Sequence, residues 1–402
     1  MLHIAGGVYR EYCMHPIWRE IYGSGGRAAS AIMHIGGEAT LHTYLESRNA
    51  SALKDRAALE RFFLNPIDVE TSASFGYQHP LSTPTIHSPI EKYPPLRLSG
   101  DKVIRFGMIE GTAIVDAEYA VFDPQNVASP EIFDENGSQA LHLAVVLNQH
   151  EAAIMCSRAG ASPENLAEEI AGKCKAEVVI IKLGARGALV YEAGHSQLVP
   201  AFQTDNVWKI GSGDNFVAHF GYQWMERKLS AVDSAILASK ATAYYCASQG
   251  FISSKRLSTY SPKEIRPSNR FLNGYKPKVY LAGPFFTLAE LWLVEQAKEN
   301  LQEMGLQVFS PYHDVGHGSA DDVVELDLKA IHDCDAVFAI GDGLDSGTIY
   351  EVGYARAIGK PVIFYSENES AEDKKMMLGS GCILSNDYVT AIYKTLWTAI
   401  EQ

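Results

Sequence analysis

Long apolar runs are missing from this sequence. No stretch approaches the roughly 20 residues that a membrane-spanning helix needs. The N-terminus, Met1 to Tyr12, lacks a basic segment followed by an apolar stretch of signal-peptide length. Cysteine is scarce: six residues, Cys13, Cys156, Cys174, Cys246, Cys334 and Cys382, with no C-x-x-C pair among them. In a chain this long that excludes a disulfide scaffold and reads as reduced, mostly buried thiols. Positive charge is in deficit. A formal charge of -14 repels phosphate backbones and excludes an extended nucleic-acid groove, while a small nucleotide pocket needs only a few local donors. Low-complexity tracts and solenoid-period repeats are also missing. These absences together predict a soluble, cytoplasmic protein whose partners are small molecules, with neither nucleic acid nor membrane among them.

What is present is an ordinary mixture, 47% apolar and 20% charged, over 402 residues. That length exceeds what one hydrophobic core usually organises, so two domains are expected. The polar stretch Ser261 to Arg270, with Pro262 and Pro267, followed by Asn273 to Pro277, has linker chemistry. It divides the chain into domains at 1–265 and 278–402, joined by 266–277. After the linker, short apolar strands alternate with helical patterns: strand Lys278–Ala282, strand Gln307–Ser310, helix Asp322–His332, strand Ala336–Ile340, helix Gly347–Ile358, strand Val362–Tyr365 and helix Asn386–Ile400. Such alternation predicts an α/β domain with a parallel sheet and a ligand beyond the carboxyl ends of its strands. The first domain opens on strand Leu2–Gly6 and the glycine-rich turn Gly23 to Gly26. Residues 60–105 are proline-bearing and read as loops with a small antiparallel piece. Alternation then returns with strand Ala120–Phe122, helix Gly137–Leu147, strand Ala153–Met155, helix Asn165–Ala171, strand Val178–Lys182 and helix Gly213–Met225.

The segment Asp342 to Pro361 carries the most chemistry. It sets Asp345, Ser346 and Gly347 on the loop after a buried strand, and Glu351 on the first turn or so of the next helix. Strand-end loops and helix N-termini offer free N–H groups to polar ligands. Two carboxylates converging there can divide the labour of sugar chemistry, one attacking the anomeric carbon while the other holds a hydroxyl or gives a proton. Taken singly, a D-S-G-T turn and a glutamate on a first helical turn are ordinary turn and dipole features. Several matching blocks in order favour the functional reading.

Asp345, Gly347, Thr348, Glu351, Gly353 and Ala355 match the motif D-x-G-T-x-x-E-x-G-x-A, and residues 278–365 resemble the nucleoside 2-deoxyribosyltransferase family. Tyr280 to Phe285, including Gly283 and Pro284, is similar to that family's opening strand, whose G-P turn lines the base and sugar site. Glu325 to Asp335 is similar to its base-contacting stretch, with Asp327 the matching aspartate. The resemblance implies a flavodoxin-like (Rossmann-like) parallel-sheet domain that uses no cofactor. It implies Glu351 as the nucleophile that becomes glycosylated, Asp345 as the sugar-positioning group, and Asp327 as the proton source for the leaving base. It also implies a homo-oligomer. Transfer to a second base and hydrolysis both stand. Relatives that prefer nucleoside monophosphates bind phosphate through serines and helix N-termini, a role open to Ser346 or Ser310 beside their ordinary use as turn or cap residues.

Upstream, Trp208 to Phe216 sets Gly211, Ser212 and Gly213 as a turn at the start of a helix, with Asp214 in its first turn. Backbone N–H groups there can face a transferring phosphoryl group, and the aspartate can take a proton from a hydroxyl. With Asn148 and Glu151 in an N-x-x-E pattern and the strand Val178 onward, residues 1–265 resemble the ribokinase (PfkB) family. The resemblance implies a ribokinase-like three-layer α/β/α domain using ATP and Mg2+ to phosphorylate a sugar or nucleoside. On that likeness, Gly211, Ser212 and Gly213 form the anion hole and Asp214 is the base. Asn148 and Glu151 serve magnesium and phosphate, while Gly25, Gly26 and Glu11 lie near the sugar. Trp208 and Lys209 depart from the family's usual Asp-Thr, and Ser30 from its asparagine. No metal-ligand set is expected elsewhere: His313 and His317 share a glycine- and proline-bearing loop without a third ligand, and His79 and His87 follow no ligand pattern. Joined, the two resemblances imply a bifunctional enzyme of nucleoside or nucleotide metabolism. Two alternatives remain: an N-terminal domain that binds a ligand silently and regulates the glycosidase, or a nucleotide sensor.

Overall fold

The structure is a computed structural model that describes residues 1–89, 92–126, 129–316 and 320–402. The chain divides into two compact units, one of Met1–Thr204 with Trp208–Glu264, the other of Asp205–Val207 with Ile265–Gln402. Among the described residues no helix is long and apolar enough to cross a membrane.

The first unit is built on a nine-stranded sheet. Its order is His195–Val199, Ala188–Glu192, Val178–Lys182, Gln139–Asn148, Ala113–Asp123, Leu96–Phe106, Leu2–Ala5, Ala39–Glu46, Phe63–Val69. All neighbours run parallel except at the hairpin edge formed by Ala188–Glu192 and His195–Val199. Strand residues alternate between two buried layers, which makes the sandwich three layers thick. Leu2, Ile4, Ile104 and Phe106 pack on the side of helices Gly23–His34, Ser212–Gly221 and Ala231–Ser248. Ala5, Val103, Val145 and Leu147 pack on the side of helices Gln149–Met155 and Pro163–Cys174. The first strand has Ala39–Glu46 on one side and Leu96–Phe106 on the other. The winding direction therefore reverses at that strand, which opens a crevice at its carboxyl end. A second sheet of four short strands, Trp18–Ile21, Arg10–Cys13, Ser74–Tyr77 and Thr85–His87, lies in the same unit.

Two expected elements exchange identity here. Gly137–Leu147 is expected as a helix and Ala153–Met155 as a strand, but the chain forms strand Gln139–Asn148 and then helix Gln149–Met155. The run Leu143 to Leu147 is buried on both faces, and a fully apolar stretch of that length fits a central strand as well as a helix. The helix begins one residue later because Asn148 and Glu151 close a capping box. Helix Ser212–Gly221 is followed by a π turn at Tyr222–Glu226.

The second unit has five strands, all parallel, in the order Gln307–Phe309, Lys278–Ala282, Ala336–Ile340, Val362–Tyr365, Ile383–Ser385. Numbered along the chain this is 2-1-3-4-5, the doubly wound order whose reversal point lies between the first and third strands. Helices Ala320–Asp333 and Ser346–Ala357 supply Ile331, Val352 and Ala355 to the core over Tyr280, Ala282, Val337 and Phe364. Helices Leu288–Glu303 and Tyr388–Glu401 pack against strands of this sheet as well.

Candidate functional site

In the second unit the reversal point brings together side chains from three elements. Tyr280 is the middle residue of its strand and fully buried, its ring stacked on Phe309 with centroids 5.6 Å apart. Its hydroxyl donates to Glu351 Oε1 at 2.7 Å. Glu351 sits on the second turn of helix Ser346–Ala357, which begins one residue before the expected Gly347 because Asp345 caps it. Asp345 Oδ2 accepts from the Thr348 backbone N–H at 2.8 Å and from its hydroxyl at 3.0 Å. Burial pushes the Glu351 carboxyl up to about 7; the Tyr280 hydroxyl opposes this, and the negative charges of Asp327 and Asp345 add to it. Burial also raises Asp327, on helix Ala320–Asp333, whose buried Oδ1 has no hydrogen-bond partner among the described residues. Tyr280 is itself held well above the usual phenol range by burial and by Glu351.

Gly283 follows the strand at a point where a Cβ would lie 3.0 Å from Ile340, so the turn with buried Pro284 packs tightly on the neighbouring strand end. Ser346 and Gly347 are exposed at the helix N-terminus and Thr348 is buried. Two features escaped the sequence reading. Phe285 leans on Tyr312 at 5.3 Å, giving this edge an aromatic wall. His313 bridges Ser310 Oγ, 3.1 Å from Nδ1, and Glu295 Oε1, 2.9 Å from Nε2. Spacing gives no hint of that chain, because Glu295 arrives from another helix. His317 lies outside the described residues.

In the first unit a cavity of about 320 Å³ opens at the crevice, walled by Glu11, Asn148, Glu151, Gly211, Gly213 and Asp214 among others. Six expected residues thus meet. Gly25, Gly26 and Ser212 are not on its wall. Gly25 instead permits close packing, since a Cβ there would fall 2.6 Å from the Gly6 carbonyl oxygen, and Ser212 Oγ accepts from Lys209 Nζ at 3.0 Å. Glu11 comes from the small sheet, which also contributes Phe75, Tyr77 and Ile86.

The cavity's organiser is Arg27, which the sequence reading passed over. Its guanidinium donates to Asp214 Oδ2 at 2.7 Å, to Glu11 Oε2 at 2.5 Å and, through Nε, to the Tyr245 hydroxyl at 3.0 Å. Tyr245 in turn donates to the Ile210 carbonyl at 2.9 Å, which steadies the turn before Gly211. Gly211 has φ +77°, and a Cβ on it would lie 2.0 Å from Arg27 Nε, so glycine is required there twice over. The other oxygen of Asp214 accepts from Gln125 Nε2 at 2.5 Å. Burial raises the Glu11 carboxyl despite Arg27. Lys182 donates to Asp123 Oδ2 at 2.8 Å. Asn148 and Glu151 satisfy each other's backbone N–H groups at 2.9 and 2.8 Å.

Two family models match the chain, over separate stretches. The model of the pfkB family carbohydrate kinases matches residues 124–257. The model of the nucleoside 2-deoxyribosyltransferases matches residues 279–381. The chain is a fusion of these two domains. Among solved structures, a fructokinase from Vibrio cholerae with fructose, ADP and calcium bound is similar to it. That match has 14% identity and a TM-score of 0.50 and covers 65% of this chain and 99% of that one. A nucleoside kinase from Burkholderia thailandensis in complex with inosine gives 19% identity, a TM-score of 0.47 and coverage of 65% and 94%. A ribokinase from Thermotoga maritima gives 15%, 0.49, 65% and 98%. The fructokinase likeness speaks for the fold of the first unit, which is ribokinase-like. Comparison with curated proteins finds no match.

Proposed function

We propose that the second unit breaks the N-glycosidic bond of a nucleoside, deoxynucleoside or nucleoside monophosphate with Glu351 as nucleophile. The observation that carries this is the Tyr280–Glu351 hydrogen bond of 2.7 Å at the sheet's reversal point, beside Asp327, whose Oδ1 has no partner among the described residues. A buried carboxylate aimed by a phenol is an oriented nucleophile. Its attack forms a bond from Glu351 to the anomeric carbon as the carbon–nitrogen bond breaks. The departing base takes a proton from Asp327, which burial keeps protonated to higher pH. In the second half, water or an acceptor base gives its proton to Asp327 and displaces Glu351. Asp345 uses Oδ2 for its cap, leaving Oδ1 for a sugar hydroxyl. The exposed N-terminus at Ser346 and Gly347 suits a phosphate if the substrate has one.

The first unit, on this reading, transfers a phosphoryl group from ATP to a sugar or nucleoside hydroxyl, with Asp214 taking the proton. ATP would bring a divalent ion that neutralises phosphate oxygens; Asn148 and Glu151, with Asp123 beside them, are the polar side chains on the wall that suit it. A second reading, in which this unit binds its ligand without phosphorylating it, draws on a specific observation. Both oxygens of Asp214 are engaged, by Arg27 and Gln125, and one must be vacated before a hydroxyl can be deprotonated.

The test is base release followed by chromatography over a panel of nucleosides, deoxynucleosides and monophosphates, with and without acceptor base and ATP. Wild type should release base and Glu351→Ala should not, with the acceptor lanes separating transfer from hydrolysis. Asp214→Asn should abolish any ATP-dependent product. An ATP-dependent product that survives Asp214→Asn excludes the assigned base, and its absence in wild type favours silent binding.

A further inference from the structure

A second cavity of the first unit, of about 550 Å³, lies between the small sheet and helix Ser47–Glu60. Its wall carries three arginines, Arg10, Arg19 and Arg56, against two glutamates, Glu11 and Glu20. That balance runs against the chain as a whole, which has 34 lysines and arginines to 48 aspartates and glutamates. Both glutamates are already engaged: Glu11 accepts from Arg27 at 2.5 Å and Glu20 from Arg56 at 2.8 Å. The charge left over on this wall is positive, and it attracts an anion.

The arginines are held to different degrees, and each has donors left. Arg56 donates to Glu20 Oε2 and to the Ile21 carbonyl, and its guanidinium lies 3.8 Å from the centroid of the Tyr22 ring. These contacts fix its direction and use only part of its N–H groups. Arg10 pairs with Ile21 in the ladder, so both arginines are anchored at that residue. Its Nη2 stands 3.9 Å from Glu46 Oε2, and its buried Nε has no hydrogen-bond partner among the described residues. A buried N–H without an acceptor is costly, and a ligand oxygen removes that cost. Arg19 is exposed on the edge strand Trp18–Ile21, directly opposite Tyr12. Opposed residues project to one face of a sheet, so Arg10, Tyr12, Arg19 and Ile21 share theirs. Tyr12 and Ile21, with Ala52 of the helix, give the cavity an apolar side.

We propose that this cavity binds a phosphate monoester of a sugar or nucleoside. The guanidinium forks of Arg10 and Arg56 take the phosphate, Arg19 adds charge at the rim, and the organic part lies against Tyr12, Ile21 and Ala52. Such forks match a phosphate at two oxygens at once, so a dianion of that shape suits several arginines better than a lone carboxylate does. Glu11 lies between Arg10 and Tyr12 on a strand whose alternate residues face opposite sides. A ligand held on this face therefore steadies the strand that brings Glu11 to Arg27 in the other cavity.

The test is calorimetric titration of the full chain with ribose 5-phosphate, adenosine 5′-monophosphate or inorganic phosphate, in a Glu351→Ala background so that the second unit consumes none of them. At least one ester should bind with a Kd below about 1 mM, and the tighter of the two identifies the ligand as sugar phosphate or nucleotide. Inorganic phosphate should bind more weakly than that ester. Arg10→Gln should weaken the ester about tenfold or more, the scale of one charge-assisted contact. Arg19→Gln, at an exposed position where folding is not at risk, should weaken it about threefold. Lys182→Gln, in the other cavity, should leave the affinity within about twofold. Amide hydrogen exchange across residues 10–21 should slow on binding, and should not in Arg10→Gln. Binding that survives both arginine variants, that is lost in Lys182→Gln, or that leaves exchange in residues 10–21 unchanged overturns the assignment. Absence of binding by both esters overturns it too, and inorganic phosphate binding as tightly as the esters overturns the role of Tyr12, Ile21 and Ala52.

Discussion

Replacing Glu351 by glutamine should stabilise the second unit at alkaline pH, and the size of the gain follows from the burial of the carboxyl. The group titrates near 7 in the folded protein against an ordinary 4.5. Between those values the folded state holds a proton that the unfolded chain has released, so stability falls as pH rises through that window. Above about pH 7 the whole penalty is present, about 3 kcal/mol at roughly 1.4 kcal/mol per pH unit. Glutamine has the same shape, and its carbonyl oxygen can still accept from Tyr280, but it has no charge to bury. At pH 8 the Glu351→Gln transition should lie about 6–12 °C above wild type for a unit of this size. At pH 5, where the folded carboxyl is neutral, the difference should shrink below about 1 kcal/mol. Differential scanning calorimetry at the two pH values reads both figures. An equal shift at pH 5 and pH 8, or a lower transition for Glu351→Gln at pH 8, refutes the claim that this site buries a charge at a cost in stability.

Other outcomes follow from neighbouring contacts. Because attack requires the ionised form of Glu351 and departure of the base requires the protonated form of Asp327, kcat/KM for base release should fall away on both sides of a maximum, as a pH–rate profile would record. Tyr280→Phe removes a donor that holds the Glu351 value down, so the same profile should shift upward by about half to one unit. Gly211→Ala adds a Cβ at positive φ within 2.0 Å of Arg27 and should cost about 2 kcal/mol or more in denaturant unfolding. Gly26→Ala, whose nearest new neighbour is Val8 at 3.7 Å, should be neutral or stabilising by up to about 1 kcal/mol. Asn148→Ala breaks the capping box and should cost about 1 kcal/mol.

What the sequence disclosed followed how local each feature is. Asp345 and Glu351 are six residues apart on one loop and helix, and Gly211 to Asp214 are contiguous, so their spacing carries them. The alternation after Lys278 likewise predicts the parallel sheet, since each strand is a short apolar run between helical patterns. The cavity of the first unit is different. Arg27, Asp123, Lys182 and Tyr245 each look ordinary in their own stretch, as a helix residue, two strand ends and an aromatic, and only the tertiary fold brings them to Asp214 and Gly213. Glu11 is expected near the sugar, yet its partner Arg27 comes from helix Gly23–His34, which packs on one face of the large sheet. The exchange of helix and strand around Gly137 to Met155 has another cause: an apolar run buried on both faces loses the period that separates the two. The ribokinase resemblance places Gly25 beside the sugar, and the fold shows a further use for it, the close contact of its helix with the Gly6 carbonyl.

The most direct test of the central claim is intact-protein and peptide mass spectrometry after incubation with a 2-deoxy-2-fluoroarabinosyl nucleoside, in which fluorine slows release of a bound sugar. The account predicts a stoichiometric mass increase equal to the glycosyl group, mapped to Glu351 and lost in Glu351→Ala. A glycosyl adduct on another residue, or base release from ordinary substrates that continues unchanged in Glu351→Ala, would contradict it.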